Sequence, residues 1–444
     1  MEYIKNKIMK ILKLSALLLF LSVNTQAQEV WTLEKCVKHA IENNITIKQS
    51  EADLASTQQN KNTAIGNFLP SLNFGSSHSW NVGLNQNITT GILENMTTRS
   101  ASVNANMGID LFNGMQNIQQ LYRSNLAILA SQYQLADIKE NISLLVANAY
   151  LQILFSKESL GVQKSQLAVT VEELKIANER LNTGIIPKGD VLEIEANAAT
   201  MEQNVVVAEN NYLLSKIALA QLLLLPDFEN FDIAQESYEM PSTKLLEISA
   251  KTIYTTALDK RNDVKLAKTN LNIAKKDLAI SKAGLFPKLS GFYSYNSRIL
   301  FDNASPISDQ LDLNAGRNFG FQLSIPIFNG LNTNTNIKRS KIGILKSEYA
   351  LQQMQLDLEN TINQAYANTK GALKAYQAAE KTDQARQLAY EYAKERFDAG
   401  AMNTFNFLQA QQRYEAAQSK LIKAKYDYIF KLKILEFYFG VQNL

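Results

Sequence analysis

The sequence has 444 residues, of which 46% are hydrophobic and 20% charged, and its formal net charge is +3. A chain this close to neutral, without a basic block, gives no reason to expect nucleic acid as a partner. The single cysteine, Cys36, excludes a disulfide within the chain, and the two histidines, His39 and His78, are not spaced as metal ligands.

Residues 1–27 have the pattern of a secretory signal peptide. Four lysines come first, an apolar run from Leu14 to Val23 follows, and the small residues before Gln28 suit cleavage there. The apolar run is too short to span a bilayer. Cleavage removes four Lys and one Glu, so the basic and acidic residues go from 45 and 42 to 41 each. We therefore expect an exported mature chain with a net charge near zero.

The mature chain begins with the pattern of a helix followed by two strands. The helical stretch runs from Leu33 to Ile65 and is closed by Gly66. Alternation of apolar with small or polar residues then predicts two strands, each with a mainly apolar face and a small, polar face. The apolar-face residues are Leu72, Phe74, His78, Trp80 and Val82 in the first strand and Val103, Ala105, Met107, Ile109 and Leu111 in the second. A polar loop at about residues 85–98 connects the strands.

A long helix and a shorter return helix follow the strands. Asn113 is a good helix N-cap, and the helical run that follows it to Leu181 has about 67 residues, or roughly 100 Å. The segment from Arg180 to Leu192 turns the chain, with Gly184 where a helix C-terminus favours a left-handed residue. A return helix is expected at about 190–224. Residues 225–245, with two prolines and five acidic residues, then form a linker.

The second half of the chain repeats the first at a separation of 216 to 217 residues. The copy begins with a helix from Leu246 to Ala283, closed by Gly284, and continues with strands at Leu289 to Tyr295 and Phe319 to Ile325, which a loop at about 300–316 connects. The cap residue Asn329 then starts a long helix to Phe397. A turn from Arg396 to Leu408, which contains Gly400, leads into a return helix at about 404–439. We therefore divide the chain into a signal peptide at 1–27, a first repeat at 28–224, a linker at 225–245 and a second repeat at 246–444.

Both the strands and the long helices require partners from other chains. Four strands cannot close a transmembrane barrel, since bacterial examples begin at eight, and helices of roughly 100 Å with an apolar seven-residue seam need neighbours along their length. A soluble sheet packed on helices is the alternative for the strands. The signal peptide and the aromatic residues Trp80, Tyr293, Tyr295 and Phe319 favour a barrel with an interfacial girdle. Two protomers would supply eight strands and three would supply twelve, and these arguments do not choose between them.

The order and double occurrence of short motifs resemble one known family. The segments GNFLP, GLFPK, LFNG, IFNG, RLNTG and RFDAG, with the duplicated helices and strands, closely resemble the TolC-like outer membrane efflux protein family over about Trp31 to Leu444. The resemblance implies a mainly α fold with a β-barrel part. Each protomer of a homotrimer would contribute four strands to a twelve-stranded barrel, which lies among outer-membrane lipid. Each protomer would also contribute long helices to a periplasmic tunnel. Such a protein is a passive exit duct in the outer membrane of a Gram-negative bacterium, served by a periplasmic adaptor protein and an inner-membrane pump.

The resemblance also implies where the adaptor binds. In the family, glycine-containing turns at the helical tip meet the adaptor, and the matching positions here are Gly184 with Ile185 and Gly400 with Ala401. These glycines also terminate helices, and the two roles are compatible.

The residues that would line the aperture are less typical of the family. Members with a charged aperture carry carboxylates one turn past the second glycine, where this chain has Asn406 and Gln409. The first repeat has Asp190 and Glu193 at the equivalent positions, three residues apart on one helical face, and threefold symmetry would make each an acidic ring. Asp190 is alternatively the N-cap of the return helix. Phe405, with Phe407, could form an apolar constriction or pack in the core.

Two other classes of function remain as alternatives. A trimeric surface adhesin or a periplasm-spanning stalk would also use long heptads and shared barrel strands, although adhesin anchors normally lie at one chain end. An enzyme is disfavoured because the sequence has no nucleophile motif, glycine-rich phosphate loop or metal cluster. We therefore expect no catalytic residues, no cofactor and no metal.

Overall fold

A computed structural model describes residues 31–87, 90–226, 231–234 and 243–440. The predicted signal peptide lies outside these residues, as does most of the predicted linker. The elements of the first half are α1 (Leu33–Asn43), α2 (Ile45–Gly66), β1 (Ser71–Gln86), β2 (Leu93–Asn113), α3 (Gln116–Asn182) and α4 (Lys188–Leu223). Those of the second half, after a short 3-10 helix at Thr243–Glu247, are α5 (Ala250–Lys260), α6 (Asn262–Ala283), β3 (Lys288–Leu300), α7 (Ile307–Leu313), β4 (Gly316–Ser324), α8 (Asn332–Asp398) and α9 (Thr404–Phe439).

Corresponding helices of the two halves have equal lengths. The long helices α3 and α8 contain 67 residues each, and the return helices α4 and α9 contain 36 each. At 1.5 Å per residue, each long helix extends roughly 100 Å, as the sequence predicts. The domain boundaries inferred from the repeat remain a prediction.

The single helices predicted at the start of each half are wrong, because each is two helices. The first breaks at Asn44, whose side-chain oxygen accepts hydrogen bonds from the backbone N–H groups of Thr46 and Ile47 and so caps α2. The second breaks at Arg261, which has an extended backbone (φ −63°, ψ 133°). Gly284 follows the second of these helices with φ −67°, outside the left-handed region that a C-terminal glycine usually adopts.

The N-cap positions predicted at Asn113 and Asn329 are wrong, although the side-chain oxygen of each asparagine still accepts a hydrogen bond from the backbone N–H of the second helical residue. Two consecutive left-handed residues lie between strand and helix in each half, Gly114 and Met115 in the first and Gly330 and Leu331 in the second. The helices therefore start two residues later than a cap at either asparagine would require, at Gln116 and Asn332. A left-handed pair changes the chain direction sharply, and glycine supplies the first member without steric strain.

The four strands form one antiparallel sheet in the order β1-β2-β3-β4. The ladder between β1 and β2 continues to Gln86 opposite Leu93, so the connecting loop is shorter than predicted, because backbone pairing persists where side-chain alternation fades. The loop between β3 and β4 contains α7. Both long edges of the sheet, β1 and β4, have no further strand beside them within the described residues.

The strand register separates apolar from polar side chains as the alternation predicts. Directly opposite residues share a face of a sheet, and one row across the four strands reads Leu72, Met107, Tyr293 and Phe319. The next row, on the other face, reads Asn73, Asn106, Ser294 and Asn318. On the apolar face Phe319 and Phe321 are each 77% exposed in the single chain. One face is therefore suited to lipid and the other to water.

The helices pack around a core at mid-length. Tyr150, Ile153 and Leu219 are fully buried there with residues from α1, α3, α4 and α9. Arg261, 8% exposed, joins α6 to α3 by ion pairs from its Nη2 to Asp263 Oδ2 (2.6 Å) and Asp137 Oδ1 (3.4 Å). Among the described helices, none combines the length and the apolar character needed to cross a bilayer.

Candidate functional site

The first helical hairpin turns through a glycine C-cap motif. Gly184 has φ +72°, and its N–H donates to the Leu181 carbonyl at 2.9 Å. The N–H of Ile185 donates to the Arg180 carbonyl, also at 2.9 Å. This pair of hydrogen bonds is the Schellman motif, which satisfies carbonyl groups at the helix end. As a result, Gly184 and Ile185 lie at the exposed apex of the turn, with Ile185 71% exposed.

The second hairpin has the same geometry. Gly400 has φ +72°, its N–H donates to the Phe397 carbonyl at 3.0 Å, and the N–H of Ala401 donates to the Arg396 carbonyl at 2.8 Å. Gly400 and Ala401 are exposed. The left-handed conformation predicted at both glycines is therefore confirmed, and the two turns present the same backbone to solvent.

An ion pair joins the two hairpins near their apices. Arg180 Nη2 lies 2.9 Å from Asp398 Oδ1, and the Arg180 guanidinium lies 5.5 Å from the centre of the Phe397 ring. Arg180 is an anchor of the sequence repeat, but its partner lies 218 residues away and in the other repeat. Sequence reasoning did not find this pairing, because no local pattern relates the two positions.

A small aromatic core supports the turns from within. Phe397 and Phe407 stack with ring centres 4.5 Å apart and planes 8° from parallel. Phe407 is 1% exposed, whereas Phe405 is 72% exposed. Two residues that the sequence treats alike therefore have different roles. Phe407 packs in the core, and Phe405 lies on the surface; the constriction proposed at Phe405 stays a prediction.

The first-repeat carboxylates do not share one environment. The N-cap of α4 is Pro187, so the alternative that Asp190 caps this helix is wrong, because Asp190 is its third residue. The Asp190 Oδ2 atom instead accepts a hydrogen bond of 2.8 Å from the Thr404 hydroxyl at the start of α9. Glu193, one turn further, is exposed. The two carboxylates thus differ in their partners, and Glu193 has the freer side chain.

The second-repeat counterparts belong to a capped helix end. Asn403 Oδ1 accepts a hydrogen bond of 2.9 Å from the backbone N–H of Asn406 and caps α9. The side chains of Asn406 and Gln409 are exposed. The tip of the chain therefore presents Glu193, Phe405, Asn406 and Gln409 to its surroundings.

A buried carboxyl, Glu415, lies near the half-buried Glu173 between the helices behind the tip, and sequence reasoning missed both. Glu173 Oε1 accepts a 2.9 Å hydrogen bond from the Tyr390 hydroxyl, while its Oε2 has no partner among the described residues. Glu415 is 9% exposed, and burial together with the charge of Glu173 raises the pKa of Glu415 to about 7. Burial also raises the pKa of Glu173. Gln411, which is 2% exposed, lies beside these two carboxyls, and its side-chain carbonyl oxygen has no hydrogen-bond partner among the described residues.

The chain is similar to known proteins in sequence and in overall fold. The sequence pattern of a family described as "Outer membrane efflux protein" matches residues 36–223 and 253–441. The chain is 23% identical to the outer membrane efflux protein BepC of Brucella suis, over 97% of this chain and 90% of BepC. It is 23% identical to the alkaline protease secretion protein AprF of Pseudomonas aeruginosa, over 72% of this chain and 66% of AprF. The crystal structure of the outer membrane protein VceC from Vibrio cholerae superposes with a TM-score of 0.77 at 15% identity, covering 92% of this chain and 96% of VceC.

Proposed function

The chain belongs to the outer membrane efflux protein family, and we propose that three copies of it form the outer-membrane exit duct of a tripartite efflux pump or a type I secretion system. The observation that carries the proposal is the distance between two surfaces. A sheet with an exposed apolar face lies at one end of 67-residue helices, and two exposed hairpin apices lie at the other. Roughly 100 Å of helix therefore separates a lipid-compatible surface from the tip.

The sheet supports a trimer. A single sheet of four strands with two open edges leaves backbone donors and acceptors unpaired, which a bilayer does not tolerate. Three copies would join β4 of one protomer to β1 of the next and would close twelve strands. The apolar face would then meet lipid, and the polar face would line a water-filled lumen.

The hairpin apices support the contact with an adaptor. Gly184, Ile185, Gly400 and Ala401 are all exposed, and no described side chain lies within 4 Å of a Cβ placed on either glycine. A periplasmic adaptor could therefore approach the backbone closely at six similar turns around the trimer. An inner-membrane pump would supply the free energy, and the solute would leave through the tunnel without chemical change.

We expect a strain that lacks the gene to lose export of the pump's solutes, and a Gly184→Val, Gly400→Val variant to fail to restore it. A β-branched side chain adds bulk at the apex and is strained at φ +72°. Export is measured as susceptibility to toxic compounds and as secretion of protein. The amount of trimer in outer-membrane fractions should stay close to that of the wild type, because both turns are exposed.

Gly371→Val is the matched control for the tip variant. Gly371 lies within α8 and has no positive φ, and a Cβ placed on it would meet no described atom within 4 Å. This variant should restore export fully. Full export by the tip variant, with normal trimers, would overturn the adaptor contact, and unchanged susceptibility and secretion in the deletion strain would overturn the duct.

The aperture can be tested by its ion selectivity. If Asp190 and Glu193 form acidic rings, an Asp190→Asn, Glu193→Gln variant should lose cation selectivity by at least about twofold in planar bilayers, since six carboxylates leave the trimer's mouth. Conversely, Asn406→Asp should raise cation selectivity. Unchanged selectivity and conductance in the double variant would exclude an acidic ring at these residues.

A further inference from the structure

The polar face of the sheet carries one large apolar side chain where all four strands run together. The rows of residues across this face consist of serine, asparagine, glutamine, glycine and a few charged residues. One row is Asp110, Ser290 and Gln322, a second is Asn73, Asn106, Ser294 and Asn318, and a third is Gly75, Asn104, Asn296 and Gly316. Between the first two of these rows lies Phe292, in a row with Ser71, Gly108 and Gly320. In the described part of the sheet, the rows that reach β4 have no other large apolar residue on this face.

The residues opposite Phe292 on both neighbouring strands are glycines. They have no side chains to cover the Phe292 ring, and the ring can lie against the sheet. A Cβ atom on Gly320 would be 3.2 Å from Phe292 Cζ and 3.4 Å from Cε1, so the ring rests against the bare backbone of β4. Gly108, on the other side, also has no side chain. The Phe292 side chain remains 38% exposed. The ring therefore packs on the strand and is partly open on the polar side of the sheet.

We propose that Phe292 is a contact site for aromatic and other apolar groups of solutes passing through the barrel, an inference that rests on the proposed trimeric duct. A wall of hydroxyl and amide groups binds water as well as it binds a polar solute, and it offers no contact for an apolar group. An exposed aromatic face provides one through stacking or, for a cationic ring system, through attraction to the π electrons. Three such rings would lie at one height, near the end of the barrel that joins the helices.

A purely structural role for Phe292 makes a different prediction. Aromatic rings that cover a glycine on a neighbouring strand stabilise sheets. If that were the whole role, replacing Phe292 would lower thermal stability and leave solute passage unchanged. The two roles are therefore distinguished by a measurement of solute passage, which a change in thermal stability alone does not alter.

Planar-bilayer recordings of reconstituted trimers provide that readout. The probes are ethidium, a planar aromatic cation, and tetraethylammonium, a cation without an aromatic ring, both added to KCl. We expect Phe292→Leu to shorten ethidium blockade times by roughly two- to tenfold and to leave tetraethylammonium blockade unchanged. Phe292→Tyr should retain long blockades. Phe321→Leu is the matched control, because Phe321 lies on the same sheet but on the apolar face.

Three outcomes overturn the proposal. Equal ethidium blockade times in wild type and Phe292→Leu would show that the ring only covers Gly320. Equal shortening for both probes would show a change of pore shape without an aromatic contact. Absence of any KCl conductance in the wild-type protein would overturn the proposed duct itself, and with it the contact site, so the two failures are distinguishable.

Discussion

Replacing Gly114 by alanine is expected to lower the thermal stability of the protomer strongly. Gly114 forms the corner between β2 and α3 with φ +67°, and a Cβ there would lie 2.5 Å from the Ala283 carbonyl oxygen and 2.8 Å from Phe286 Cβ. The first of these atoms is backbone and cannot move aside without displacing the end of α6. Overpacking together with backbone strain should destabilise the protein by about 2–4 kcal/mol. Circular dichroism of the detergent-solubilised protein during thermal unfolding measures the loss.

Gly91→Ala is the control for backbone strain alone. Gly91 has φ +74°, and a Cβ there would meet no described atom within 4 Å, so this change should cost only about 1 kcal/mol. Equal losses at Gly91 and Gly114 would contradict the assigned clash.

Gly330→Ala tests whether the corresponding corner of the second half is needed for trimer assembly. Gly330 occupies the corresponding corner of the second half, with φ +63°, but the described residues of the single chain place nothing within 4 Å of its Cβ. In the proposed trimer, α2 of the next protomer would approach this corner as α6 approaches Gly114. We therefore expect Gly330→Ala to keep its helical content and to lose trimers, measured as the trimer band in unheated gels. Wild-type trimer levels would contradict that docking.

Glu415→Gln is expected to stabilise the protein at pH 8 and to have little effect at pH 5. The folded-state pKa of Glu415 is raised from 4.5 to about 7, so the folded chain binds more protons than the unfolded chain between these values. Stability contributed by the neutral form is thus present below pH 4.5 and is lost as pH rises through 7. Glutamine stays neutral, so the variant should avoid a loss on the order of 2–3 kcal/mol per protomer.

Thermal unfolding from pH 5 to pH 8 measures this effect. Glu193→Gln, which removes an exposed carboxyl from α4, is the matched control for loss of a carboxyl, and its unfolding temperature should stay close to that of the wild type. A wild-type protein as stable at pH 8 as at pH 5, or a Glu415→Gln variant with the wild-type pH profile, would contradict the buried-carboxyl account.

The amino-acid sequence by itself determined the features that depend on neighbours along the chain. Alternation placed Leu72 and Phe74 on the apolar face of a strand, and the apolar seven-residue seam gave long helices of the observed length. Gly184 and Gly400 adopt the left-handed conformation expected of them, because the Schellman turn is closed by hydrogen bonds within six residues. The repeat of these patterns, together with the motif order, was enough to indicate the family.

Only the tertiary structure decided which distant residues meet. Arg180 pairs with Asp398, Asp190 binds Thr404, and Glu415 is buried near Glu173, although more than 200 residues separate the members of each pair. The sequence treats Phe405 and Phe407 alike, and packing of the two hairpins exposes one and buries the other. The reason is physical: hydrogen bonds within a turn or a helix are fixed by local chain geometry, whereas side-chain partners and burial arise only when separate helices and strands pack together.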